Sequence, residues 1–474
     1  MSERGIIGSR LEPTPAMTNL AERLRQLLGN EAVADDPETL AEHSGDKWFA
    51  AETPEVVVFA KSTEQVSHLM RFASEYQIPV TARGAGYGYV GSCVPCRRGI
   101  ALSLRHMNRI REIHFADAIA VVEPGVITST LKAAAREQKL FYPPDPASMD
   151  NCTIGGNIAT NAGGPRCLKY GVTRHYVLGL EVVLANGEIL RTGGRVHKNK
   201  TGFDLIGLFV GSEGMLGIVT EATLSLLPLP PARATLSVSF ATIAESAAAV
   251  QAIFAGGFLP SSLEIADHFT LEAARRDSGG HDVPPGNAHL LVDLDGQSES
   301  VRLETEKLRS LVAGLGPTAL EIATTEPDCE RLWALRRQFS NSLRATGLTK
   351  LNQDIVVPRS RLVDLVEFAE RLSARSGFPI ACFGHAGDGN IHVNIMAERY
   401  NRDAGVREKV QQTLDELFAQ VLAWGGVITG EHGIGLAKKR WWPQATTDNA
   451  RAVHQTLKRA LDPQGILNPG KFLD

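Results

Sequence analysis

Residues Phe383-Gly384-His385-Ala386-Gly387-Asp388-Gly389-Asn390-Ile391-His392-Val393-Asn394 set a polar, glycine-rich centre between apolar flanks. No other stretch constrains the fold as strongly, because this one has the form of two strands turned back on each other. With Asp388-Gly389 as a two-residue hairpin turn, which that dipeptide favours, His385 and His392 are directly opposed on neighbouring strands. Their imidazoles then share one face, with Cβ atoms about 4.5 to 5.5 Å apart, and Asn394 projects from the same face. Further on, Gly430-Glu431-His432-Gly433-Ile434-Gly435 sets a carboxylate beside an imidazole among glycines. One reading of these residues is a three-ligand metal site of His385, His392 and Glu431 with an open position, His432 remaining free as a base. The other is a loop hairpin with hydrogen-bonded, structural histidines, and spacing alone leaves both open.

At 474 residues the chain exceeds one ordinary hydrophobic core, so two or three domains are expected. Lys and Arg (49) nearly balance Asp and Glu (53), and the formal charge of −4 gives no electrostatic footprint for nucleic acid or an anionic membrane. No apolar run reaches the length of a spanning helix, and Met1 to Pro15 lacks the apolar core of a secretory signal. A cytoplasmic address is expected, with the residues ahead of the first helix, Leu20 to Leu28, disordered. Among 6 cysteines only Cys93 and Cys96 are close; with no second pair they read as ordinary reduced thiols, not as zinc ligands or an iron–sulfur motif.

The first half alternates strands and helices. Glu55 to Ala60 is an apolar β-rich run, and Ser62 with Gln65 forms a capping box opening a helix to about Tyr76. Pro79 to Arg83, Ile100 to Leu104 and Ala118 to Val122 read as strands, Thr128 to Lys139 as a helix, and Asn186-Gly187 as a hairpin turn before the strand Gly217 to Leu227. This is α+β material, with too many hairpins for a purely doubly wound sheet. Leu227-Pro228-Leu229-Pro230-Pro231 marks a boundary. Beyond it, strands at Leu236 to Phe240, Leu263 to Ile265 and Leu290 to Leu294, with helices at Glu245 to Phe254 and Ser298 to Leu315, predict a helix-backed antiparallel sheet, and a similar order recurs from Asp354 to Ile395. Helices from about Glu408 to Trp424 and from Asp448 to Leu461 follow. The expected organisation is an N-terminal segment (1–50), a first domain (51–229), a second (230–425) and a C-terminal segment (426–474) completing the site.

Two glycine-rich stretches stand out in the first domain. Arg83-Gly84-Ala85-Gly86-Tyr87-Gly88-Tyr89-Val90-Gly91 follows a strand directly, so its amides can point into a phosphate-binding concavity, but no helix follows where a Rossmann fingerprint needs one. The second stretch, Pro143 to Ser148 and Thr153 to Gly164, is rich in small residues and allows close approach of a large flat ligand. Taken singly, each reads equally well as a solvent loop.

Taken in order, the motifs say more: R-G-x-G-x-G at Arg83, P-P-D-P-x-S at Pro143, T-I-G-G-N-x-A-T-N-A-G-G from Thr153 to Gly164, and K-Y-G at Lys169. They continue with G-S-E-G-x-L-G-I-V-T at Gly211, G-H-x-G-D-G-N-x-H-x-N at Gly384, G-E-H-G-I-G at Gly430 and N-P-G-K at Asn468. The sequence, from about Pro54 to Lys471, closely resembles the flavin-dependent dehydrogenases of the vanillyl-alcohol oxidase type fold. The branch it resembles contains D-lactate dehydrogenase, D-2-hydroxyglutarate dehydrogenase and the flavin-bearing component of glycolate oxidase.

That resemblance implies a p-cresol methylhydroxylase (PCMH) type FAD-binding domain, a ferredoxin-like antiparallel-sheet substrate domain and a small C-terminal helical segment. It implies FAD contacts at Arg83, Gly84, Ala85, Gly86, Tyr87 and Gly88, at Asp145, Ser148, Thr153, Gly155, Gly156, Ala159, Thr160, Asn161, Gly163 and Gly164, and at Ile218, Val219 and Asn468. The Arg83 loop has no histidine for covalent attachment, so dissociable FAD is expected; Tyr87 and Tyr89 stand where the family has smaller residues. The family's divalent metal falls on His385, His392 and Glu431 and its catalytic base on His432. Arg336 matches the arginine that clamps the substrate carboxylate, with Arg337 the alternative, and Ser340, Asn352 and Asn394 complete the implied substrate contacts. Relatives acting on 2-hydroxyglutarate carry a lysine where this chain has Asn352 and Gln353, and Lys350 fills that role only if the chain shifts.

The implied reaction takes a D-2-hydroxy acid (D-lactate, glycolate or D-2-hydroxyglutarate) to the 2-oxo acid. A zinc or manganese ion binds the hydroxyl and a carboxylate oxygen, His432 takes the proton and flavin N5 the hydride. With no cluster motif, electrons leave to a cytochrome, a quinone or an electron-transfer flavoprotein, which would make the chain peripheral to the membrane; a homodimer stays open. The alternatives are a flavin electron-relay subunit of a multi-subunit complex and a sugar or alcohol oxidase on the same fold.

Overall fold

Val56–Phe59 and Val80–Arg83 lie parallel to Ile100–Ser103 between them, and Val33–Ala34 adds an antiparallel edge, in a four-stranded sheet. These strands are apolar on both faces because both are covered. Leu20, Leu24, Val66, Leu69 and Met70, from helices Leu20–Leu28 and Thr63–Glu75, pack on one side, and Val57, Phe59 and Ala101 meet Leu40 on the other. The protein is seen in a computed structural model that describes residues 19–278 and 283–473; Met1 to Pro15, expected to be disordered, lie outside them. A second, five-stranded antiparallel sheet runs in the order Ile110–His114, Ile119–Val122, Ile218–Ser225, Val177–Val183, Ile189–Gly193. Leu227–Pro228, in the proline-rich boundary, pairs with Leu140–Phe141.

From Ala232 onward the strands build a separate seven-stranded antiparallel sheet. Its order is Ala319–Ala323, Ala232–Phe240, Ala288–Gly296, Ser262–Ala266, Ile380–His385, Asn390–Ala397, Thr349–Val356. One face is buried by helices Ile243–Ala255, Ser298–Ala313, Leu362–Ser376 and Ala404–Ala423 in the largest core. The other face takes His268–Asp277 and Glu326–Ala345, in smaller clusters around Phe339, Phe383 and Trp333. Helix cover on both faces lets polar residues be buried on the thinner side.

The structure departs from the sequence reading in two places that matter. The run Ile154–Thr160 is a helix, not a loop: Thr153 Oγ1 accepts the Gly156 N–H at 3.3 Å, and Asn161 ends it at φ 52°. Its glycines serve packing, since a Cβ on Gly155 would lie 2.6 Å from Pro124 Cβ.

The hairpin register also differs. Phe383 faces His392 and His385 faces Asn390, so the loop is Ala386 to Gly389 and the two histidines are diagonal, not opposed. Asn390 causes the difference: its amide donates to Asp354 Oδ1 (2.7 Å) and to the Ile355 carbonyl (2.8 Å), drawing it into the ladder as the first strand residue. Gly389 then takes φ 83°, where a Cβ would meet the Val357 carbonyl oxygen at 2.1 Å. A slip of two residues keeps every side chain on its face, which is why the histidines still share one.

Candidate active site

Strand alternation sorts the polar residues of the seven-stranded sheet onto the thinly covered face. The register pairs Glu264 with His385, His385 with Asn390, Asp354 with His392 and Asn352 with Asn394, so all seven project together. Glu431 descends from a loop beyond helix Ala404–Ala423. One ligand atom from each of His385, His392 and Glu431 lies within 4.8 Å of the others. His385 Nδ1 donates to Glu264 Oε1 at 2.6 Å, which turns Nε2 towards Glu431 Oε1, 3.3 Å away. Burial would depress the His385 imidazole, but Glu264 and Glu431 together hold it well above the ordinary histidine value. His392 is driven the other way, by burial and then by the His385 charge, and its Nδ1 is buried with no hydrogen-bond partner.

Two carboxylates shape the loop that carries Glu431 and His432. Asp354 Oδ2 accepts from Thr429 Oγ1 (2.9 Å) and from the N–H groups of Gly430 (2.9 Å), Glu431 (2.8 Å) and His432 (3.0 Å). Against the cost of burial, His432, Lys438, His392 and those amides hold the Asp354 carboxyl well below the usual range. On the far side Glu213, from the first domain, accepts the Ile434 N–H at 2.8 Å and the Gly435 N–H at 3.0 Å, as well as the Ser92 hydroxyl at 2.7 Å. The chain therefore curls around two anions, and this solves the geometric problem of neighbours in an extended segment pointing apart. His432 stacks on His392 with ring centroids 5.8 Å apart and planes 15° apart. Burial, partly offset by Asp354, holds its imidazole below the ordinary value.

The glycine stretches lie against this cluster. A Cβ on Gly163 would sit 2.9 Å from Glu431 Oε1, and one on Gly84 would sit 2.4 Å from Thr153 Oγ1, so the two stretches also pack on each other. Among the described residues, no N–H group from Gly84 to Tyr89, Ala85, Gly86, Tyr87 and Gly88 included, donates a hydrogen bond within the protein. These amides stand at the C-terminal end of a parallel strand, the place where open sheets bind anionic cofactors. Other expected cofactor residues are committed internally. Asp145 accepts the Arg166 N–H at 3.2 Å, the Ala159 carbonyl accepts the Glu213 N–H at 2.8 Å, and Asn161 Oδ1 accepts the Arg174 N–H at 2.9 Å. Thr160 donates to the Gly156 carbonyl at 3.1 Å, and Ser148 turns the chain by accepting from Asn151 and Cys152. Ile218 is a core side chain beside the half-buried Val219, so only its backbone can face a ligand. Gly164 abuts Asp145, and the Asn468 amide donates to the carbonyls of Ser92 (2.9 Å) and Glu213 (2.7 Å).

Helix Glu326–Ala345 lies over the polar face with Arg336 and Ser340 one turn apart. The Arg336 guanidinium bonds Glu264 Oε2 at 2.6 Å, whereas Arg337 points out to Glu330, 2.9 Å away on the surface. Lys350 Nζ donates to Ser340 Oγ at 2.5 Å. Burial, then Arg344 and Arg336, push its ammonium down to about 7. Asn394 donates to the carbonyls of Ala381 (3.1 Å) and His392 (2.9 Å), and the Oδ1 atoms of Asn394 and Asn352 are buried without partners. Sequence reasoning missed Glu264, Asp354 and Glu213. The available signal was an acid inside an apolar run, Leu263-Glu264-Ile265 and Asp354-Ile355-Val356-Val357, where an unpaired charge is too costly to bury.

An amide-lined cradle at the end of parallel strands, set against a covered antiparallel sheet with a histidine–carboxylate cluster, defines a two-domain cofactor-dependent oxidoreductase. The chain belongs to the FAD-linked oxidase family: residues 229–472 match the C-terminal domain of FAD linked oxidases, and residues 54–193 match an FAD binding domain. It is 40% identical over 420 residues to glycolate oxidase subunit GlcD of Bacillus subtilis (88% of this chain, 89% of the relative). It is 35% identical over 419 residues to D-lactate dehydrogenase of Archaeoglobus fulgidus (88% and 91%). Among solved structures, p-cresol methylhydroxylase with substrate bound superposes with a TM-score of 0.79 at 22% identity, covering 97% of each chain. The 4-ethylphenol oxidase of Gulosibacter chungangensis gives 0.78 at 23%, with the same coverage. These two share the vanillyl-alcohol oxidase type fold. Among the described residues no helix is long and apolar enough to cross a membrane.

Proposed function

We propose that the protein oxidises a small D-2-hydroxy acid of the lactate or glycolate class to its 2-oxo acid, using dissociable FAD and a divalent cation, zinc or manganese. The observation that carries this reading is the convergence of His385, His392 and Glu431 beside His432, against the Gly163 end of the glycine stretch. The names of the relatives, a glycolate oxidase subunit and a D-lactate dehydrogenase, support the substrate class.

The donor set fits a small cation: two imidazoles and a carboxylate with an orphaned, buried His392 nitrogen, and Glu264 orienting His385 through its other nitrogen. The free amides from Gly84 to Tyr89 fit a diphosphate. When bound, the cation supplies Lewis acidity and FAD a two-electron acceptor. Everything else falls to the protein. Arg336 presents a guanidinium edge to a carboxylate, Asn394 and Asn352 line the same face, and His432, whose imidazole burial holds below its ordinary value, takes the hydroxyl proton. Lys350 beside Ser340, pushed down to about 7, is only partly charged at neutral pH, which agrees with a substrate that carries a single carboxylate. The electron acceptor, a cytochrome, quinone or electron-transfer flavoprotein, is a separate molecule in this reading.

Anaerobic mixing with D-lactate, glycolate and D-2-hydroxyglutarate tests the proposal. The purified chain is expected to bleach its flavin with at least one of them without any partner, and to release FAD on denaturation. Chelation is expected to stop bleaching and zinc or manganese to restore it. His432→Ala is expected to retain FAD and metal while slowing reduction by about 10²-fold or more. A panel with no bleaching favours an electron-relay subunit, and wild-type speed in His432→Ala removes the base.

A further inference from the structure

His432 has a second aromatic neighbour that the reaction scheme does not use. Tyr89, from the glycine loop of the first domain, stacks on the imidazole with ring centroids 5.2 Å apart and planes 29° apart. His392 stacks on the same imidazole with ring centroids 5.8 Å apart, so two near-parallel rings pack against it. Tyr89 is fixed at both ends. The next carbonyl along the chain, that of Val90, accepts the N–H groups of Leu436 (2.7 Å) and Ala437 (3.0 Å), just beyond the histidine's own loop. A Cβ on Gly435 would lie 2.3 Å from that same oxygen, so the two segments cannot approach more closely. At the ring's tip, Arg344 on helix Glu326–Ala345 donates to the Tyr89 hydroxyl at 2.9 Å.

We propose that Tyr89 is a positioning residue for His432, setting the plane of the imidazole by stacking and so aiming its edge at the reacting hydroxyl. The inference rests on His432 being the base. It also couples the two halves of the site, because the loop whose free amides would hold a diphosphate is the loop that positions the base. Proton transfer requires the acceptor lone pair within hydrogen-bond reach and in line, and misplacement on the scale of an ångström costs about two orders of magnitude. Stacking fixes the tilt, which the 3.9 Å separation of His432 Nδ1 from Asp354 Oδ2 is too long to fix alone.

The test uses FAD- and zinc-loaded protein, with anaerobic flavin reduction by D-lactate followed by stopped flow. Tyr89→Ala is expected to lower the limiting rate about tenfold or more, with the half-saturating D-lactate concentration and the affinity for oxalate, read from the flavin spectrum, changed less than about threefold. Tyr89→Phe, which keeps the ring and loses only the Arg344 bond, is expected to restore the rate to within about threefold of wild type. In a double-mutant cycle, Tyr89→Ala is expected to add nothing to His432→Ala. Three outcomes overturn the proposal: Tyr89→Ala at wild-type rate, additive effects in the cycle, or a Phe variant as slow as the Ala variant. A His432→Ala enzyme at wild-type rate instead overturns the base assignment, and the role of Tyr89 falls with it.

Discussion

The two halves of the site solve the same problem, holding a ligand in a fixed place, with different materials. The first-domain half is made of backbone: amides from Gly84 to Tyr89 with no partner among the described residues, and glycines packed so closely that an added Cβ on Gly84 or Gly155 would overlap its neighbours. The second half is made of side chains from a sheet, a helix and a loop, tied to one another by buried charges: His385 by Glu264, Arg336 by Glu264, and the Glu431 loop by Asp354. A backbone site is specified by what is absent at each position. A side-chain site is specified by buried charges that must be paired over long sequence distances.

This contrast predicts that damage to the second half spreads through charge pairing, while damage to the first half stays local. Asp354→Ala is expected to have the largest effect, about 3–5 kcal/mol in urea unfolding, because it strands Lys438 and leaves the Gly430, Glu431 and His432 amides without their acceptor. A loss under 1 kcal/mol would mean the loop does not depend on that carboxylate. Gly84→Ala is expected to cost about 1–3 kcal/mol, as overpacking does, and to appear as lost FAD with metal content unchanged. Loss of both cofactors together would show that the halves do not fail separately.

Glu264→Gln ranks next. Orienting partners of metal ligands contribute about 10–100-fold in affinity, so zinc binding measured by competition with a chelator is expected to weaken by that factor while FAD stays bound. The substitution also has a pH signature. Burial would raise the Glu264 carboxyl, but His385 and Arg336 bring it down from 4.5 to about 2. Its stabilisation is therefore complete above 4.5 and is lost as pH falls through about 2, and the Gln variant lacks that acid limb in metal-free protein. An unchanged acid limb would place the stabilising charge elsewhere.

The same contrast explains what the sequence disclosed. Glycine runs and the shared face of His385 and His392 are local patterns, and the α+β alternation follows from apolar periodicity, so these could be read directly, whereas spacing left the joining of Glu431 to the histidines as one of two readings. The hairpin register could not, because Asn390 is set by Asp354 and Ile355 on another strand. The face of the histidines was legible nonetheless, since parity survives a slip of two. Glu264 and Glu213 were hidden because each acts across a distance no motif spans: 121 residues to His385 and 221 to Ile434. The reach of Lys350 to Ser340 was hidden for a related reason, as it depends on how a helix lies over a strand.

The smallest expected effect is the sharpest on the comparison itself. In a backbone-built site, sequence neighbours act together, because every residue of the loop contributes its amide. In a side-chain site on a helix, neighbours diverge by about 100° and only one of two adjacent arginines can face inward. Arg336 pairs with the fully buried Glu264, whereas Arg337 pairs with Glu330 on a surface where both partners are about half exposed. Exposed pairs contribute about 0–1 kcal/mol, so Arg337→Ala is expected to change stability by no more than that and to leave the half-saturating substrate concentration within about twofold. Arg336→Ala, by contrast, removes the proposed carboxylate clamp and leaves Glu264 paired with His385 alone among the described residues, so it is expected to weaken substrate and metal binding together. Equal effects of the two substitutions would show that this face recognises substrate by diffuse positive charge and not by one aimed guanidinium.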